Sequence, residues 1–445
     1  MAIKLNKLAI TGVACSAIFA GFSVPAFADT SSVIDKLYEL GVLNDEDYAE
    51  LTKEAKDERR EAAAKAAEDN DPSKVSCKYS DGFKCTSKDG TFGLQLAGRI
   101  QQDYREYDTT QVNEFDIRRL YFGVKGHVYN DWKFESTFNV DETSSTSNKA
   151  VEYMFLEYAG NPNMKVRMGS QKFFYSFEEM TSSRFTDFAE RSVVNSNVIG
   201  KDRGIQVHGE PIKNQFAYSA GYFNGAARAD EANNGKGYTA RVAYNLAGDA
   251  GKKNGTILHV DAAFAEVNQD AGTNKDNSGE AKSDTKIWST TDTTLDHQES
   301  YKNIGFVGIK GPFKLQGEHN TYTIDTGSAA YDVSTDYIAI NWLITGERYA
   351  DNYSLGGMKA IKPNALFSSS GGTGAWEIGL RSSTVNADSN YGSGSNKASS
   401  ETVGLKWIPN HKTRFILNHV QTRYNTAISN VKKENAWILR AQVDF

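Results

Sequence analysis

Ten basic side chains, Arg99, Arg105, Arg119, Lys125, Lys133, Lys165, Arg167, Arg381, Lys406 and Arg440, share one parity within segments where apolar and polar residues alternate. A guanidinium donates two parallel hydrogen bonds to an oxyanion and stays charged at any working pH. Spread along a wet wall, such groups replace part of an anion's hydration without trapping it. The chemistry on offer is reversible anion binding, with no bond made or broken. A second basic group is concentrated between 172 and 203: Lys172, Arg184, Arg191, Lys201 and Arg203. Five carboxylates share that stretch, Glu178, Glu179, Asp187, Glu190 and Asp202, so composition alone gives it no cationic surplus. The competing reading is internal pairing, in which Asp103, Glu135, Asp141, Glu157 and Asp444 neutralise the wall cations and merely brace it.

Other chemistries find little support. The 7 histidines are dispersed, and no nucleophile–base motif of the G-x-S-x-G type occurs. His208, on an alternating segment, reads as a wall residue rather than a ligand. Gly371-Gly372-Thr373-Gly374 lacks the lysine of a phosphate-cradling loop. Neither a cofactor nor a metal is expected, and no enzyme activity. Cys77 and Cys85 flank an Asp81-Gly82 turn signal; in an oxidising compartment they suit a disulfide. Two cysteines without neighbouring histidines cannot complete a four-ligand metal shell.

The elements that must position these groups are strands. From Thr91 onward the apolar period is two: Phe92, Leu94, Leu96 and Ile100; Trp132, Phe134 and Phe138; Trp376, Ile378 and Leu380; Trp437, Leu439, Val443 and Phe445. Sixteen such segments are predicted, near 91–107, 115–128, 132–142, 150–160, 164–172, 203–210, 216–224, 236–246, 255–267, 301–311, 313–325, 335–345, 374–386, 400–408, 412–424 and 435–445. Short connections such as 129–131 and 161–163 alternate with long ones at 173–202 and 268–300, as in a transmembrane barrel with periplasmic turns and outer loops. The long 346–373 stretch breaks that rule, falling where a short turn belongs. Hydrocarbon cannot satisfy backbone polar groups, so a sheet crossing it must close on itself. The expected fold is therefore an all-β transmembrane barrel of sixteen antiparallel strands, apolar outside and wet inside. Trp132, Trp376, Trp407 and Trp437 suit its interfacial girdles.

Residues 1–28 read as a secretory signal: Lys4 and Lys7, an apolar run from Leu8 to Phe22, then Ala26-Phe27-Ala28. Residues 29–71 form an acidic helical segment with 14 acidic and 6 basic side chains. Val33, Ile34, Leu37 and Leu40 recur at helical spacing, Gly41 breaks the run, and Asn44 caps a second helix. A periplasmic arm touching the cell wall and a solvated spacer are both compatible with it. Residues 72–90 make a disulfide hairpin and linker, and 91–445 the barrel. From 72 onward acidic and basic residues balance at 42 each, so no nucleic-acid surface is expected and net charge does not favour an anion over a cation.

Phe115-Asp116-Ile117-Arg118-Arg119-Leu120-Tyr121-Phe122-Gly123-Val124-Lys125-Gly126 with Asp131-Trp132-Lys133-Phe134, and Val166-Arg167-Met168-Gly169-Ser170-Gln171-Lys172-Phe173 with Thr181-Ser182-Ser183-Arg184, Glu190-Arg191-Ser192 and Gly204-Ile205-Gln206-Val207, resemble the phosphate-selective porin O and P family. Leu343-Ile344-Thr345-Gly346-Glu347, Gly374-Ala375-Trp376-Glu377-Ile378 and Arg440-Ala441-Gln442-Val443-Asp444-Phe445 extend the resemblance from about 90 to 445. It implies a homotrimer in the outer membrane of a Gram-negative bacterium, in contact with lipid, passing small anionic solutes. It also implies a constriction made by an inward loop, here 173–202, with Lys172, Arg184, Arg191, Lys201 and Arg203 as its candidate eyelet; alternation puts Arg99, Arg119, Lys125, Lys165, Arg167, Arg381 and Arg440 along the lumen. A general diffusion porin with little selectivity and a structural barrel tethered through 29–71 are the alternatives.

Overall fold

The computed structural model describes residues 30–69, 74–79, 82–140, 150–225, 235–270, 276–283, 285–289, 296–327, 329–388 and 393–445. The signal segment 1–28 and Asp141 lie outside them. Two helices come first, α1 (Thr30–Glu39) and α2 (Asp45–Asp69). Gly41 takes φ +68° after α1, a backbone state that suits a residue without Cβ. The Asn44 carboxamide oxygen accepts from the N–H groups of Glu46 and Asp47 at 3.0 and 2.8 Å, the capping foreseen from sequence. Tyr38 stacks on Tyr48 at 4.2 Å, closing the helix pair. A hairpin, Val75–Tyr79 with Phe83–Ser87, follows and carries the Cys77–Cys85 disulfide.

The barrel closes with sixteen antiparallel strands. They are β1 (Gly93–Tyr107), β2 (Glu114–Val128), β3 (Trp132–Asn139), β4 (Val151–Tyr158), β5 (Lys165–Lys172), β6 (Lys201–Ile212), β7 (Phe216–Phe223), β8 (Gly237–Asn245), β9 (Thr256–Gln269), β10 (His297–Lys310), β11 (Phe313–Asp325), β12 (Ala330–Leu343), β13 (Ala375–Ala387), β14 (Lys397–Asn410), β15 (Thr413–Ile428) and β16 (Val431–Asp444). Each pairs with its sequence neighbour, and β16 returns to β1 with Asp444 opposite Arg99 and Ala436 opposite Tyr107. Closure leaves no unpaired edge, which is what hydrocarbon requires. Phe445 and Gly98 exchange backbone hydrogen bonds at 2.8 and 3.1 Å, extending the seam to the last residue.

Outward rows are apolar and bare: Met168, Val242, Leu258, Ile304, Ile340 and Leu380 are all half-exposed or more. The inward rows depart from expectation. Alternation predicts that they meet water, yet Tyr301, Tyr322, Ile324, Val333 and Tyr424 are buried in a dry core with Phe173, Tyr175 and Trp288. Two long connections fold into the barrel and cover them. One is 173–200, between β5 and β6; the other lies between β9 and β10, described over 276–283 and 285–289. Fully buried Glu280 ties the second to the wall, accepting from Arg381 Nη2 and Thr402 Oγ1 at 2.6 Å each and from Ser383. The anomalous stretch between β12 and β13 also turns inward. Tyr353, Leu355 and Met358 join a second core with Phe177, so its length serves packing.

Candidate anion-binding site in the lumen

The loop 173–200 is held against one side of the wall through its acidic residues. Glu178 N donates to Glu318 Oε1 at 2.6 Å, Tyr175 Oη to Asn320 at 3.0 Å, and Ala189 N to Asn418 at 2.7 Å. Asp187 meets Lys314 Nζ at 2.6 Å, and Lys406 lies 3.9 Å away. Glu190 is the central clamp: Arg105, Arg118 and Arg440 reach it at 2.8, 2.7 and 2.7 Å. Arg105 and Arg440 also share Asp103. Burial disfavours charge on Glu190, but Arg118, Arg440 and Arg105 more than offset it and hold the carboxyl well below the usual range. Burial likewise opposes ionisation of Glu179, and Arg191, Lys172 and Lys201 outweigh it, leaving the group at about 2. At Glu178 burial wins and pushes the carboxyl up, although Arg381 stands 3.6 Å away.

With its carboxylates spent on these contacts, the loop leaves an open cavity of about 760 Å³ between itself and β1–β6. Nine basic side chains line it: Arg99, Arg118, Arg119, Lys125, Arg167, Lys172, Arg184, Arg191 and Lys201. Only three carboxylates do so, Asp116, Glu135 and Glu152. The even charge count of the loop hides this arrangement: Glu179 pairs with Lys172 and Arg191 at 3.0 and 3.2 Å, while Asp187 and Glu190 are taken up by cations of the wall.

Of the five sequence-predicted eyelet residues, Lys172, Arg184, Arg191 and Lys201 line this cavity and Arg203 does not. Arg203 pairs with Ser170 on the register row beside Ile205, which is outward and exposed. Of the predicted wall cations, Arg99, Arg119, Lys125 and Arg167 line it. Lys165, opposite His208, does not. Arg381 and Arg440 point inward but are covered by the loops, bound to Glu280 and to Asp103 with Glu190. Internal pairing thus describes Arg381, Arg440, Arg105, which meets Asp103 and Glu190, Arg167, 2.6 Å from Glu157, and Lys406, 2.9 Å from Glu377. Among the described residues, Arg99, Arg119 and Lys125 have no carboxylate at ion-pair distance. Arg99 Nη1 donates to Ser183 Oγ at 2.8 Å and Arg119 Nη1 to Gln101 Oε1 at 2.9 Å. The loop's hydroxyls act as anchors too: Thr181 Oγ1 accepts from Met358 N at 3.0 Å.

Arg118 and Glu152 reach the cavity against strict alternation. Gln101 pairs with Arg119 and Gln102 with Ile117, leaving Arg118 as an extra residue on β2. Thr137 pairs with Tyr153 and Phe138 with Val151, leaving Glu152 extra on β4. Each is a β-bulge, which re-aims a side chain the pleat would have turned outward. Arg118 thereby reaches Glu190, and Glu152 bonds Lys201 and the Tyr121 hydroxyl. Consecutive arginines at 118 and 119 were the available sequence signal, since a lipid-facing arginine is costly.

A family model, phosphate-selective porin O and P, matches residues 94–445. The chain belongs to this family. Porin O of Pseudomonas aeruginosa is 22% identical over 404 residues, covering 81% of this chain and 90% of that protein. Solved barrels share the fold at low identity. The anion-selective porin from Comamonas acidovorans superposes with a TM-score of 0.54 at 11% identity, covering 80% of this chain and all of that one. Outer-membrane expressed OmpT of Vibrio cholerae gives 0.51 at 12%, covering 80% and 98%. This porin is accordingly a barrel channel of the Gram-negative outer membrane.

Proposed function

We propose that the channel passes small anions by passive diffusion, without catalysis, preferring them to cations. The observation that supports this is the lining of the open cavity, where Arg99, Arg119 and Lys125 have no carboxylate at ion-pair distance among the described residues, while the other six lining cations are paired. A field of one sign focused by low-dielectric walls concentrates the opposite ion. Phosphate-like oxyanions suit guanidinium forks. The name of the family, and the anion selectivity for which the Comamonas porin is named, agree with such a preference. The experiment is a reversal potential in a planar bilayer under a potassium chloride gradient. Anion preference is expected, and Arg119→Ala should lower the anion-to-cation permeability ratio about sevenfold, as one unit charge at ~7 Å in water is worth ~0.6 kcal/mol to each ion, with opposite sign. A reversal potential near zero would favour the general diffusion reading, and cation preference would reject ours.

The working assembly is a homotrimer in lipid, in line with the family resemblance and the trimer form described for Vibrio cholerae OmpT. The segment 29–71, with its acidic helices, serves as a solvated periplasmic spacer. Residues 1–28 serve as its export signal, 72–90 as the hairpin linker, and 91–445 as the channel.

A further inference from the structure

The cavity is more than a cluster of charges. Tyr153, Phe155, Phe174 and Phe185 line it, each only partly buried. Cations are laid upon such rings: the Arg167 guanidinium lies 4.3 Å from the centre of Phe155 and 5.6 Å from that of Phe174. Arg99 covers Tyr121 at 4.4 Å, and Lys201 Nζ is 5.3 Å from the Tyr153 ring.

An inorganic oxyanion gains nothing from this surface, because it keeps most of its hydration and finds no partner in a ring face. Water-exposed aromatic area is unfavourable for the empty channel. A flat organic body would cover the ring faces, offset-stacked on them or on the guanidinium planes. Its carboxylates would meet Arg99, Arg119 and Lys125, which lack carboxylate partners among the described residues. The volume, about 760 Å³, is of the size that holds a small organic ligand.

Building on the anion-channel reading above, we infer that the solutes this cavity selects are aromatic carboxylates, recognised jointly by the ring faces of Phe155 and Phe174 and by the arginines around them. The charge attracts the solute and the rings discriminate its shape.

The test uses the full mature chain in planar bilayers, with three probes added at equal charge: terephthalate, trans-1,4-cyclohexanedicarboxylate and inorganic phosphate. Interruption of the single-channel current is titrated for each. Terephthalate should block at a concentration about tenfold below the other two, a factor equal to about 1.4 kcal/mol. In a Phe155→Leu, Phe174→Leu variant the two dicarboxylates should become equivalent. Equal block of the wild-type channel by both dicarboxylates would overturn the inference, as would an aromatic preference that survives in the variant. The wild-type comparison decides even if the variant fails to insert. Cation preference in the salt gradient would instead sink the anion-channel reading, so the two failures are distinguishable.

Discussion

The decisive residue is Glu190, because one carboxylate draws three guanidinium groups to a single point. Breaking a buried charge cluster leaves the remaining partners uncompensated, at a cost of about 3–5 kcal/mol. Glu190→Gln should therefore lower the denaturant midpoint of the detergent-folded barrel and make the open-channel current noisier as the loop loosens; a wild-type midpoint would refute the clamp. The pH dependence follows from Glu179. Its folded value, about 2, lies below the ordinary 4.5, so its stabilising contribution is complete above about 4.5 and is lost as pH falls through 2. Channel noise should stay flat from neutral pH to about 4.5 and rise only in stronger acid. Glu178, pushed up by burial, acts in the opposite sense. Recordings across that range check the sign.

At the scale of elements, irregularities in the strands build the site. The bulges at Arg118 and Glu152 turn charge inward that a regular pleat would have shown to lipid. Gly169, just before the inward loop, has φ +127°, and a Cβ there would collide with the Met154 carbonyl oxygen. Gly169→Ala should thus cost about 1–3 kcal/mol, seen as a lower temperature for loss of the compact gel band; an unchanged temperature would contradict the register. The disulfide belongs to another element. Reducing Cys77–Cys85 releases a closure worth about 2–3 kcal/mol for so short a loop. Because the barrel closes without it, protease should cut the hairpin faster while conductance holds.

On the scale of the whole molecule, closure through β16 and β1 makes the channel independent of the helices, which form a separate compact unit within residues 1–74. Replacing residues 30–74 by a short linker should leave conductance and reversal potential unchanged in bilayers, while loss of channel steps would show that the helices build the pore. Inside the barrel, the loops divide the interior into a packed half, where Tyr301, Tyr322 and Trp288 meet, and an open half lined by cations. In that open part Arg99, Arg119 and Lys125 have no carboxylate at ion-pair distance among the described residues, although the 72–445 sequence is electrically neutral.

Much of this was legible in the chain. A period of two can be satisfied in hydrocarbon only by a closed sheet, so Leu94 to Ile100 or Trp437 to Phe445 reveal both the strand and its outward face. The strands β1–β16 fall within a few residues of where alternation put them. The inward position of Arg99, Arg119, Lys125 and Arg167 follows from the same parity. Alternation is a local signal, however, and carries no information about what a loop 70 or 200 residues away will cover. Only the tertiary structure decided that Arg381 and Arg440 are buried under loops, that Arg118 turns inward, and that Asp187 and Glu190 of the loop meet cations of the wall. The physical reason is that a charge acts by where it points and what lies across from it. Partners such as Arg440 and Glu190 meet only once the cylinder has closed and the loop has folded into it.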